Sequence, residues 1–166
     1  MIVLVGFMGA GKTTVGRLLA QRLRVPFVDA DEAIVAATGR PVADIFAADG
    51  EAAFRRIEAD QIAALLAGPQ VVLALGGGAL GTRSVRDALA GHRVVLLDVS
   101  LAQALDRVAG DDSRPMLRNP DLPALYAGRE RAYRDAAQAV IPVDGLTPEQ
   151  VATHVLEVLS RQGVGE

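Results

Sequence analysis

Ile2-Val3-Leu4-Val5-Gly6-Phe7-Met8-Gly9-Ala10-Gly11-Lys12-Thr13 opens the chain and decides the reading of the rest. Four aliphatic residues predict a short buried strand. From Gly6 to Thr13 the spacing is G-x-x-x-x-G-K-[ST], and a helical pattern runs on from about residue 12 to 24. Strand, glycine-rich turn and helix in that order make a phosphate-binding loop, because the turn lets backbone N–H groups curl around phosphate oxygens. The helix adds the positive end of its dipole at the same point. Gly9, Ala10, Gly11, Lys12, Thr13 and Thr14 are therefore candidate nucleotide-binding residues, with Lys12 reaching the β- and γ-phosphates of ATP and Thr13 holding Mg²⁺.

Outward from this loop, aliphatic runs recur at 2–5, 26–28, 71–75, 94–99 and 139–143. Segments of helical periodicity separate them at about 12–24, 30–38, 42–66 with a break near Asp49-Gly50, 82–90, 100–109, 119–136 and 148–161. Alternating strands and helices predict a parallel sheet, and continuous apolar strands predict one covered on both faces. The fold class is α/β, a three-layer α/β/α domain. Thr147-Pro148-Glu149-Gln150 reads as a helix start, with Thr147 as N-cap and Gln150 three residues on.

In such sheets ligands sit beyond the carboxyl ends of the strands. Three loaded segments fall there: the phosphate loop, Asp29-Ala30-Asp31, and Gly76-Gly77-Gly78. Asp29 and Asp31, two apart in extended geometry, would share one face. Asp29 is assigned to Mg²⁺ and Asp31 to the proton of an attacking hydroxyl, although either carboxylate could instead cap the following helix. Arg55 and Glu58 are helix neighbours three apart. They read either as a surface ion pair or as a clamp in which Arg55 grips a carboxylate and Glu58 orients it or reaches a substrate hydroxyl. Gly76, Gly77 and Gly78 together signal close approach of a ligand, since a turn needs only one glycine. The segment 110–121, broken by Pro115 and Pro120, reads as a mobile loop whose Arg114 reaches the phosphates. Arg129 would give a second fork to an anionic substrate. Arg107 and Arg131 serve equally well as solvated cations.

The remaining composition narrows the class. A net charge of −3 argues against nucleic acid as a partner, and the absence of cysteine removes disulfides and thiolate chemistry. His92 and His154 are isolated and suit surface or structural roles rather than a metal cluster. No apolar stretch approaches membrane-spanning length and the N-terminus lacks a signal-peptide pattern, so a cytoplasmic protein, with no membrane partner, is expected.

Taken together, these residues resemble the shikimate kinases, small P-loop enzymes related to nucleoside monophosphate kinases that phosphorylate the 3-hydroxyl of shikimate with ATP. The resemblance rests on Gly6–Thr13, Asp29-x-Asp31, Ala43-Asp44-Ile45-Phe46 leading to Gly50-Glu51, Phe54-Arg55-x-x-Glu58, Gly76-Gly77-Gly78, Arg114-Pro115 and Arg129-x-x-x-Tyr133. It implies a sheet of five parallel strands in the order 2-3-1-4-5 and a mobile lid. At 166 residues the chain fits one domain, so a single kinase domain over 1–166 is expected, with the lid at about 110–121, substrate-binding helices at about 30–60, and a monomeric state. By resemblance Asp31, Arg55, Gly77 and Arg129 bind shikimate, with the two arginines on its carboxylate and Asp31 on its hydroxyls. Thr13 and Asp29 attend to Mg²⁺, Arg114 is the lid arginine and Arg107 lies against adenine. Another kinase of this architecture, acting on gluconate or a nucleoside monophosphate, and a nucleotide-binding regulatory protein without catalysis stay open as alternatives.

Overall fold

The computed structural model describes residues 1–109 and 120–162. In chain order the elements are β1 (Ile2–Val5), α1 (Lys12–Leu23), β2 (Phe27–Asp29), α2 (Ala30–Thr38), α3 (Val42–Asp49), α4 (Glu51–Leu66), β3 (Val72–Ala74), α5 (Arg83–Ala88), β4 (Arg93–Asp98), α6 (Leu101–Val108), α7 (Leu122–Ala136), β5 (Ala139–Pro142) and α8 (Pro148–Gln162). A single 3₁₀ turn, Ala79–Gly81, lies between β3 and α5. The strands form one sheet in the order β2-β3-β1-β4-β5, with every neighbouring pair parallel. This is the order the resemblance implies.

Side chains alternate across a strand, so a strand buried at every position has both faces covered. That holds for β3 throughout and for β4 from Val94 to Leu97. Each such Val or Leu contributes roughly 1.5–3 kcal/mol on burial, which is why the central strands read as unbroken apolar runs. On the edge strand β5, Val140 is exposed and Pro142 presents no N–H, which discourages a further strand from pairing there.

The helix boundaries follow local chemistry. At the start of α6 the Ser100 hydroxyl accepts from the Gln103 N–H at 3.2 Å. Before α8, Thr147 and Gln150 exchange bonds reciprocally at 2.9 and 3.3 Å, the capping box their spacing predicts. Gly50, at φ 83, divides the expected helix 42–66 into α3 and α4 at the foreseen break. A second, smaller apolar cluster of Ile34, Ile45 and Phe54, flanked by Val42, Phe46 and Ile57, ties α2, α3 and α4 together apart from the main core. No described helix is long and apolar enough to cross a membrane. The expected lid, apart from Pro120 and Asp121, lies outside the described residues, and so does Arg114.

Candidate active site

Because all five strands point one way, their carboxyl ends share one edge of the sheet. A cleft of about 590 Å³ opens there, lined by the phosphate loop, Asp29, Asp31, Gly76, Gly77, Arg107 and Arg129. At its floor the loop turns sharply: Gly9 takes φ 76, and a Cβ on it would stand 2.9 Å from the Ala104 carbonyl of α6. No other residue type fits both the dihedral and the space. Lys12 folds back over the loop, its Nζ donating to the carbonyls of Gly6 at 2.7 Å and Phe7 at 3.2 Å. The first turn of α1 holds no acidic residue of its own, and its positive end faces the cleft.

Arg107 is exposed in the last turn of α6 and also contacts the phosphate loop. Its guanidinium donates to Gly9 O at 3.0 Å and Val143 O at 3.4 Å, bridging the phosphate loop to the end of β5. Beside it Val143, Leu146, Pro148 and Val151 form an apolar wall of the same cleft. These residues were missed in the sequence, although their position just past the fifth strand was a usable signal.

Asp29 and Asp31 need a correction of geometry. They do not alternate along an extended segment, because α2 begins at Ala30. Asp29 is its N-cap: Oδ1 accepts from the amides of Asp31 at 2.9 Å and Glu32 at 3.3 Å. An aspartate at that point captures amides the first turn cannot satisfy itself, so the chain turns helical directly after the strand. The other oxygen, Oδ2, faces the Thr13 hydroxyl at 3.5 Å. One carboxylate thus both caps the helix and offers an oxygen to the cleft. A hydroxyl and a carboxylate oxygen on one side suit Mg²⁺, which takes few protein ligands and shares substrate phosphates. Among the described residues no group of three His, Cys, Asp or Glu could hold a metal by itself.

Asp31 is held above the ordinary aspartate value of 3.8, first by burial and then by the neighbouring Asp29 charge, with Lys12 and Arg55 opposing. Glu58 is 1% exposed, which overturns the surface-pair alternative. Burial raises its pKa, and the Arg55 guanidinium, 2.6 Å away, pulls the other way. Arg55 also meets Glu51 at 3.5 Å and lies 5.3 and 5.9 Å from the ring centres of Phe54 and Phe46. Its fork is therefore held from several sides.

The glycine triplet threads between these charges, and each glycine faces a different one. A Cβ on Gly76 would lie 3.0 Å from Asp31 Oδ1 and 3.2 Å from Glu58 Oε1. On Gly77 it would lie 3.0 Å from Arg129 Nη1, and on Gly78 it would collide with the Arg55 guanidinium. Arg129 reaches this point from α7, its guanidinium 6.0 Å from the Phe7 ring centre, so the phosphate loop supplies one wall of the arginine's seat. The structure thus unites Asp31, Arg55, Glu58, Arg129 and the triplet at one end of the cleft, with Gly9–Thr14 and Arg107 at the other. The arrangement can hold a polyphosphate and, beside it, a small polyhydroxy carboxylate.

Comparison with known proteins agrees with this geometry. The sequence profile of the family described as shikimate kinase matches residues 8–160. A shikimate kinase of Mycobacterium tuberculosis is 47% identical over 161 residues, covering 95% of this chain and 92% of its own. One of Streptomyces coelicolor is 46% identical, covering 96% and 95%. A solved shikimate kinase from Acinetobacter baumannii, in complex with shikimate, superimposes with a TM-score of 0.91 at 35% identity, over 97% of this chain and 93% of that one. The chain belongs to the shikimate kinase family.

Proposed function

We propose that this protein is an ATP-dependent kinase that transfers the γ-phosphoryl group to the 3-hydroxyl of shikimate, giving shikimate 3-phosphate and ADP. The observation that carries this reading is the glycine triplet, on which two carboxylates and two arginine forks converge beside a phosphate loop. A neutral hydroxyl needs a proton acceptor and a carboxylate needs planar cationic donors. A nucleotide acceptor would ask for neither in this combination.

In the proposed reaction the acceptor oxygen bonds to the γ-phosphorus, the bond to the β–γ bridging oxygen breaks, and ADP departs with that electron pair. The hydroxyl proton passes to Asp31. Arg55 and Arg129 hold the carboxylate and thereby fix which hydroxyl faces the donor, while Glu58 and the amides of Gly76, Gly77 and Gly78 complete the acceptor site. Lys12 leaves the loop carbonyls for the phosphates and, with Arg114, offsets the charge of the transferring group. Thr13 and Asp29 would hold Mg²⁺, which when bound neutralises phosphate charge. Arg107 and the apolar wall past β5 would receive the adenine.

The test is ADP release from ATP and Mg²⁺ with shikimate, gluconate or a nucleoside monophosphate added separately, with Lys12→Ala as the blank. Release with shikimate alone is expected. Release with gluconate or the nucleotide would overturn the acceptor assignment, and silence with all three would overturn catalysis.

A pH profile tests the proton acceptor. Asp31 must be ionised to take a proton, and its burial beside Asp29 raises its pKa. Activity should therefore be lost as pH falls through a value above 3.8, the ordinary aspartate figure. An acid limb of kcat/KM for shikimate at or below that figure would exclude Asp31 from the role.

A further inference from the structure

Side chains surround the glycine triplet, but the direction of its peptide planes depends on what its carbonyls bind. Gly76 O accepts from the Ala79 N–H at 3.1 Å and Gly78 O from the Gly81 N–H at 3.0 Å, both within the 3₁₀ turn. Gly77 O takes its bond from a side chain: the Tyr133 hydroxyl donates to it at 2.5 Å. Tyr133 is 3% exposed and sits one turn after Arg129 on α7, so both emerge from one face of that helix. A trans peptide points its carbonyl and its N–H in opposite directions. Drawing Gly77 O toward α7 therefore turns the N–H of Gly78 away from α7, and that amide has no backbone partner among the described residues.

We propose that Tyr133 is a positioning residue for the acceptor: its hydroxyl sets the Gly77–Gly78 peptide plane and holds the triplet at a fixed distance from Arg129. The inference rests on the acceptor site described under Proposed function. Tyr133 acts through the loop rather than by proton transfer. Burial pushes its phenol up to about 12 despite the nearby Arg129 and Arg55, so it stays a protonated donor throughout the neutral range. Its spacing from Arg129 is readable in the sequence, but its partner is 56 residues away along the chain.

Tyr133→Phe removes one oxygen and leaves the ring in place. With the Gly77 carbonyl unpartnered, KM for shikimate should rise about 5- to 20-fold while KM for ATP and kcat change by less than about twofold. An unchanged shikimate KM in a variant made beside an active unmodified enzyme would overturn this inference alone. Both KM values moving together, a fall in melting temperature with neither moving, or failure to fold would assign the hydroxyl to the fold and overturn it equally. Absence of shikimate turnover in the unmodified enzyme would overturn the functional reading and this inference with it.

Discussion

Asp31→Asn should lower kcat with shikimate by roughly 10²- to 10⁴-fold while leaving KM for ATP near its original value. Asparagine keeps the shape and a hydrogen-bonding oxygen but cannot take the hydroxyl proton. The same change should raise the melting temperature at neutral pH by a few degrees, because the folded site disfavours the charge it removes. A carboxylate whose pKa is raised by folding holds its proton more tightly in the native state than in the unfolded chain. Its penalty is therefore absent below the unfolded value and fully present above the folded one, so native stability falls as pH rises between them. Steady-state kinetics and thermal denaturation at two pH values check both halves. Near-normal turnover would remove Asp31 from the chemistry, and a lowered melting temperature at pH 7 would show that its charge is favourable where it stands.

Arg55→Ala should damage the site and the fold together. Arg55 is the 2.6 Å partner of Glu58, whose side chain is 1% exposed, so its loss leaves a buried carboxylate without its cation. Removing one member of such a pair costs about 3 kcal/mol, a drop in melting temperature of roughly 6–12 °C for a chain of this size. Shikimate binding should weaken by on the order of 1.5–3 kcal/mol as one fork of the carboxylate clamp disappears. A second substitution separates the two losses. Arg55→Ala with Glu58→Gln leaves no uncompensated charge at position 58, so stability should largely return while shikimate affinity does not. At acid pH the single variant should also recover as Glu58 takes up a proton. If the double variant melts as low as the single one, the buried charge is not the cause; an unmoved shikimate KM in Arg55→Ala would void its place in the clamp.

The legible parts of this protein are those set by local chemistry. The phosphate loop, the break at Gly50, the capping box at Thr147 and Gln150, and the central strands could all be read because backbone dihedrals, unsatisfied helix-end amides and apolar periodicity act over a few residues. The start of α2 at residue 30 was legible for a reason of the same kind, and only the mutual placement of the two aspartates differs: Asp29 Oδ1 caps the helix through the amides of Asp31 and Glu32, so Asp29 and Asp31 do not share one extended face.

Composition and spacing by themselves determined the α/β class, the nucleotide loop and the set of charged residues to watch, and the resemblance of those motifs implied the strand order and the family. Only the tertiary structure decided what those charges face. Glu58 and Arg55 have the spacing of a surface pair, and packing of α4 against β3's glycine loop buries the carboxylate instead. Gly76, Gly77 and Gly78 announce a close approach, but that each faces a different charged side chain, from α2, α4 and α7, is a property of the assembled sheet edge. Arg107 and Tyr133 likewise find their carbonyls on distant segments. Burial and long-range partners depend on which elements the sheet order brings side by side, and a pattern that extends over one helix or strand carries no record of its neighbours.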